Sequence, residues 1–143
     1  MRVVINIDGG ARGNPGPAAA GVVIRSADDG TVLHEAGIYL GHATNNVAEY
    51  SGLLAGLKQA AALGAKEVEI VSDSELLVRQ MNGRYRVKAP GLIPLFLQAQ
   101  DLRGKFDKCI FRHVRREENK AADGLVNLAI DRKQNVEDGA QHQ

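Results

Sequence analysis

Four acidic residues stand where a folded chain seldom leaves a charge without a partner. Asp8 ends the apolar stretch 2–7, and Asp73 follows Ile70 and Val71 at the end of another. A carboxylate at the end of an apolar strand is costly unless donors or a cation satisfy it. Were the two stretches neighbouring strands, their ends would bring Asp8 and Asp73 together, where the ligands of open sheets gather. Glu49 falls on the first turn of a long helical pattern and Asp123 on the first turns of the last one, so both can project toward the same crevice. Acids gathered in one place repel and push one another's pKa values up, and divalent cations relieve that repulsion. An all-oxygen donor set suits Mg²⁺ or Mn²⁺, and nothing in the sequence has the ligand spacing of a zinc site. Taken singly, each acid has a plainer reading. Asp8 and Asp73 would be turn or cap residues, and Glu49 and Asp123 acids favoured at helix N-termini. The combination is more specific, because those roles do not call for acids at both strand ends and both helix starts.

The elements that must hold these acids can be read from pattern. Residues 2–7 are a β-rich strand, followed by a loop whose Gly9, Gly10, Gly13, Asn14, Pro15, Gly16 and Pro17 mark a tight, irregular turn. Residues 20–25 and 31–40 read as two more strands, joined by the polar turn Ala27-Asp28-Asp29-Gly30. Asn45 or Asn46 is placed to cap a helix over 47–63, with Val47, Tyr50, Leu53, Leu54, Leu57, Ala60 and Ala61 at helical spacing and Gly64 as its stop. Residues 67–71 alternate as a strand that runs into Ser72-Asp73-Ser74, and 75–81 give a short helix ended by Asn82-Gly83. Leu92, Leu95, Phe96, Ala99 and Leu102 outline a third helix, with Pro94 near its start, where proline is tolerated. Residues 109–114 alternate as the last strand. Asn119 or Lys120 opens a final helix whose apolar side is Ala122, Leu125, Val126 and Ala129. The order β-β-β-α-β-α-α-β-α implies an α/β fold with a five-stranded mixed sheet, antiparallel for three strands and then parallel, flanked by helices. The domain is expected to occupy 1–132, with 133–143 as a flexible tail that lacks an apolar stripe.

At 143 residues, 44% of them hydrophobic, the chain fits one domain able to bury a core without disulfides. Cys109 is the only cysteine, which suits a reducing cytoplasm. No apolar run approaches the ~20 residues that span a bilayer, so neither a membrane nor a signal segment is expected. The net charge of +1 hides an uneven distribution. Residues 1–78 carry 9 acids against 5 Lys and Arg, whereas 79–120 carry 11 basic residues against 4 acids. A basic segment beside a group of carboxylates suggests a surface that faces phosphates, with a merely solvated face as the alternative.

Four segments carry a family resemblance. Asp8-Gly9-Gly10-Ala11-Arg12-Gly13-Asn14-Pro15-Gly16-Pro17 resembles the opening motif of type 1 ribonucleases H. Thr44-Asn45-Asn46-Val47-Ala48-Glu49-Tyr50 is similar to its second motif, Val71-Ser72-Asp73-Ser74 to its third, and Asn119-Lys120-Ala121-Ala122-Asp123 to its fourth. Order and spacing match, and the similarity extends from residue 2 to about 132. The resemblance implies the ribonuclease H-like fold and an endonuclease that cuts the RNA strand of RNA–DNA hybrids; a monomer is expected. It implies a pair of Mg²⁺ ions, or Mn²⁺, and products with 5′-phosphate and 3′-hydroxyl ends. By analogy Asp8 would bridge both ions, Asp123 would help hold the one that activates water, and Glu49 and Asp73 the one at the leaving oxygen. The analogy also assigns Asn14 and Asn45 to the RNA strand and Thr44 and Asn46 to the DNA strand. Gly9 and Gly10 would let the backbone approach a minor groove closely.

The chain also departs from that family. Many members carry a histidine in the loop before the last acid. Here that loop is Arg115-Arg116-Glu117-Glu118-Asn119, and His113 lies earlier, in a strand pattern that gives it a structural role. Glu75 stands where some relatives place an RNA-touching glutamine, and a carboxylate there must point away from phosphates. The long, basic, Trp-rich handle is missing; Arg79, Arg84, Arg86 and Lys88 fill a short connection in a chain without tryptophan. Arg84 and Arg86 are the candidate substrate contacts in it. Two rivals remain open from the residues: a catalytically idle nucleic-acid-binding module, and a nuclease of the same fold acting on DNA junctions or double-stranded RNA.

Overall fold

Alternation of apolar side chains builds the centre of the molecule. The computed structural model describes residues 1–137. The chain runs through β1 (Arg2–Ala11), β2 (Gly16–Ser26), β3 (Val32–Ala43), α1 (Asn45–Ala62), β4 (Glu67–Ser72), α2 (Glu75–Met81), α3 (Ile93–Arg103), β5 (Lys108–His113), a 3₁₀ turn at Arg116–Glu118, α4 (Lys120–Arg132) and β6 (Val136–Glu137). They form one sheet in the order β5-β4-β1-β2-β3-β6. β1, β2 and β3 are antiparallel neighbours, and β4 and β5 add in parallel on the other side of β1.

Alternate residues of β1 serve the two faces of the sheet. Val3, Ile5 and Ile7 join Val22, Ile24, Ile70 and the α1 residues Leu53, Leu54, Leu57 and Ala60 in the main core. Each of the Val, Ile and Leu side chains among them, fully buried, contributes roughly 1.5–3 kcal/mol. On the opposite face a smaller cluster of Ala19, Val126, Ala129 and Ile130 seats α4. Asn6 and Asp8 belong to this second face, where the Asn6 amide donates to Asn119 Oδ1 at 2.9 Å. Gly64, with φ of 83°, adopts the left-handed conformation just past the end of α1 and stops it as expected.

Three expectations need correction. The glycine-rich segment after Asp8 is mostly strand: Gly9, Gly10 and Ala11 pair with Ala20, Ala19 and Ala18, so the irregular turn shrinks to residues 12–15. Thr44, rather than Asn45 or Asn46, caps α1 by accepting from the Val47 N–H at 3.2 Å. The sheet has six strands instead of five, because part of the expected tail is ordered onto its edge. Val136 is buried, β6 pairs with Ala36 and Gly37 of β3, and Asn135 Oδ1 accepts from the Tyr39 N–H at 2.9 Å. Residues 138–143 lie outside the described part. Among the described residues, no helix is long and apolar enough to cross a membrane.

Candidate active site

Strand register sets the first pair of acids. Ile7 pairs with Ser72 across the parallel β1–β4 ladder, so Asp8, within β1 rather than at its end, and Asp73, just past β4, come next, side by side. Two glycines flanking Asp8 then let in the helices that carry the other two. Gly9 follows Asp8 in β1, and a Cβ there would lie 2.3 Å from Ala48 C and Glu49 N, so α1 presses its backbone onto the strand. Gly21 faces Asp8 across the β1–β2 ladder, and a Cβ there would lie 2.2 Å from the Ala122 carbonyl oxygen of α4. Close backbone approach of this kind requires glycine. Asn119 fixes the start of α4: wholly buried, it donates to the Ile7 carbonyl at 2.8 Å while accepting from Asn6. Asp123 is thereby held one turn into α4 beside Asp8.

The result is a cleft of about 410 Å³ lined by Asp8, Glu49, Asp73 and Asp123, with Asn45, Asn46, Arg12 and Arg116 among its walls. Burial pushes the Asp8 carboxyl well above the usual carboxylate range, and Asp73 and Asp123 raise it further against a bond from the Gly9 N–H. Burial likewise raises Glu49, to about 7; Asp73 adds to the rise, and the Ser74 hydroxyl and the Arg116 guanidinium oppose it. The donors are oxygens throughout, and buried carboxylates reluctant to ionise together fit hard divalent cations such as Mg²⁺ or Mn²⁺. Among the described residues no three His, Cys, Asp or Glu side chains form a metal-holding group by themselves. The cleft is open, with room for an oxygen brought by a substrate.

Raised carboxyls of this kind make stability depend on pH. Asp8 and Glu49 hold protons more tightly in the folded protein than in the unfolded chain, whose carboxyls titrate near ~4. Below that pH both states are protonated and these groups cost nothing. As pH rises toward 8 the unfolded chain ionises first, so the metal-free protein loses stability. Melting in chelator should therefore move to lower temperature between pH 5 and pH 8, and added Mg²⁺ should recover more of the loss at pH 8 than at pH 5. A metal-free melting temperature that rises over the range would contradict this account.

Of the remaining expected site residues, Asn14 and Asn45 meet: Asn14 Oδ1 accepts from the Asn45 N–H at 3.0 Å, and Asn45 Oδ1 from the Ala11 N–H at 2.8 Å. Gly10 and Asn46 line the cleft, Gly9 accommodates α1 as well as lining it, and the Thr44 hydroxyl is engaged as a helix cap. Arg86 shares an adjoining groove with Asn46, Tyr85 and Lys88, whereas Arg84 lines the next one, beside Phe96 and Leu97. Glu75 is bound to Arg79 at 2.8 Å, which answers its charge locally. His113 is exposed at the end of β5 and does not line the cleft. Sequence reasoning overlooked Asn127 and the placement of Arg12. Asn127 lies four residues after Asp123, one helical turn along the same face, and that spacing was the available signal.

Known proteins share both sequence and shape. The profile of the reverse transcriptase-like family matches residues 6–129. The bifunctional protein Rv2228c of Mycobacterium tuberculosis is 52% identical over 131 residues, covering 92% of this chain and 36% of that protein. The chain thus spans about a third of the length of the mycobacterial relatives it matches. The crystal structure of RNase H1 from Halobacterium salinarum superposes with a TM-score of 0.88 at 42% identity, covering 92% of this chain and 98% of that one. LC11-RNase H1, isolated from compost and solved in complex with an RNA/DNA hybrid, gives a TM-score of 0.86 at 46% identity, again covering 92% and 98%. With the fold, the order of the motifs and matches over nearly the whole domain in agreement, the chain belongs to the type 1 ribonuclease H family.

Proposed function

We propose that this protein is a metal-dependent endonuclease that hydrolyses the RNA strand of RNA–DNA hybrids, leaving 5′-phosphate and 3′-hydroxyl ends. The observation that carries the proposal is the single cleft in which Asp8, Glu49, Asp73 and Asp123 meet. Family membership and the hybrid bound to LC11-RNase H1 support it.

In this reading Asp8, Glu49, Asp73 and Asp123 would hold a pair of Mg²⁺ ions, or Mn²⁺ in their place, with Asp8 serving both, Asp123 the ion on the water side and Glu49 and Asp73 the ion on the leaving-group side. Bound there, such ions would supply Lewis-acid stabilisation of the charge developing at phosphorus and would ease loss of a proton from the attacking water. The chain's own groups orient the substrate. Asn14 and Asn45 each turn their oxygen inward to a backbone N–H, which leaves their Nδ2 groups as donors for a 2′-hydroxyl. Thr44 and Asn46 face the DNA strand, beside Arg86. The enzyme works as a monomer in the cytoplasm, where its lone thiol stays reduced.

The deciding test presents one sequence as RNA–DNA hybrid, RNA duplex, DNA duplex and single strands, with Mg²⁺ and with chelator. Metal-dependent cutting of the RNA in the hybrid is expected. A folded protein that cuts none of these with Mg²⁺ or Mn²⁺ would leave a binding module instead. Replacing both Arg84 and Arg86 with Ala should weaken hybrid binding and flatten its salt dependence by about 0.9 for each phosphate no longer neutralised. An unchanged slope would place both arginines in solvent.

A further inference from the structure

The acid cleft has an arginine at its outer end whose present partner is a poor one. Arg12 lines the cleft, and its guanidinium meets Asp131 at 2.6 Å and the Asn127 carbonyl at 3.5 Å. Both side chains of the pair are about half exposed, and ion pairs in that setting hold weakly against water. The backbone beneath is firm, since the Arg12 N–H donates to the Pro17 carbonyl at 2.8 Å. The side chain can therefore change partner without the turn moving.

Its position along α4 suggests the partner it is meant for. Asp123, Asn127 and Asp131 stand four residues apart on one stripe of the helix. Asn127 links the ends of that stripe, its Nδ2 lying 3.5 Å from Asp123 Oδ2 and its carbonyl accepting from Arg12. Eight residues of helix place Asp131 about 12 Å along the axis from Asp123. That is the rise of roughly three to four nucleotides of one strand. A strand lying along α4 would meet a second carboxylate there, with Arg12 as the nearby cation. Carboxylate and phosphate offer the guanidinium fork the same paired acceptors.

We propose that Arg12 contacts a backbone phosphate of the bound hybrid, and that Asp131 holds its guanidinium in place of that phosphate until nucleic acid arrives. The proposal rests on the hybrid-binding reading above. It assigns a nucleic-acid contact to a residue of the first turn outside the four acids and the asparagines.

The test is hybrid binding by Arg12→Ala, Asp131→Asn and the double variant, followed by anisotropy of a labelled RNA–DNA hybrid in chelator across a salt series. Arg12→Ala should weaken binding several-fold and lower the salt slope by about one. Asp131→Asn should tighten binding roughly two- to fivefold by releasing Arg12, and that gain should vanish when Arg12 is already Ala. An equal gain in both backgrounds would mean that Asp131 acts only through its general field. Weakening by Asp131→Asn as large as that of Arg12→Ala would make the pair a structural clasp. Either result overturns the proposal, as does an Arg12→Ala protein with unchanged affinity and slope. A native protein that neither binds hybrid at any salt in chelator nor binds or cuts it with Mg²⁺ or Mn²⁺ would instead remove the hybrid-binding reading itself, and this contact with it.

Discussion

Asp8→Asn should reduce cleavage by roughly a thousandfold or more while leaving the protein folded. The amide keeps the shape of the side chain and can still accept from the Gly9 N–H, but it withdraws the charge at the centre of the acid group. Charge stabilisation worth several kcal/mol in the transition state corresponds to a loss of that size. The same change relieves a buried carboxyl that resists ionisation, so the metal-free variant should melt no lower than the native protein at pH 8. Single-turnover cleavage and thermal melting together check both halves. Turnover within tenfold of native would remove Asp8 from the reacting centre, and a collapsed melting transition would give it a structural duty instead.

Gly9→Ala should combine loss of stability with loss of activity. The added methyl would sit 2.3 Å from the backbone of Ala48 and Glu49, where nothing flexible can yield. Overpacking of this kind costs about 1–3 kcal/mol and sometimes more, which lowers the melting temperature by several degrees in a domain of this size. To relieve the clash α1 must lift from β1, and Glu49 then withdraws from Asp8. Gly124→Ala is the contrasting case: it lies inside α4 with nothing within 4 Å of an added Cβ, and should stabilise by about 0.5–1 kcal/mol. Equal melting temperatures for the two variants would mean that α1 sits on β1 more loosely than described.

The four acids could be found in the sequence because each lies at or near the edge of the strongly apolar part of its element. Strand alternation pointed to Asp73, just past β4, and to Asp8, which lies inside β1 because that strand runs on to Ala11. Helical periodicity pointed to Asp123 on the first turn of α4 and to Glu49, which falls on the second turn of α1 because that helix begins at Asn45. What resisted reading depended on partners distant in the chain. Gly9, Gly10 and Ala11 have poor strand propensity and look like loop, yet their ladder with Ala18, Ala19 and Ala20 holds them in β1. Gly9 and Gly21 look like turn and strand glycines until two helices are docked on them. Asn45 was one residue off as a cap because its side chain is occupied with Ala11, which leaves the task to Thr44. β6 is two residues long and buries only Val136, too short for any period to register.

That short strand also bears on how the protein behaves in concentrated solution. β3 is 12 residues long, and an open strand of that length offers its row of backbone donors and acceptors as a template to another copy of the chain. β6 occupies the positions opposite Ala36 and Gly37, and Asn135 takes the Tyr39 N–H a little farther along. A chain ending at Lys133 should therefore keep its cleft and its cleavage but scatter light increasingly with concentration, as uncovered β3 edges find one another. Val136 and Glu137 would then matter chiefly as a guard against self-association.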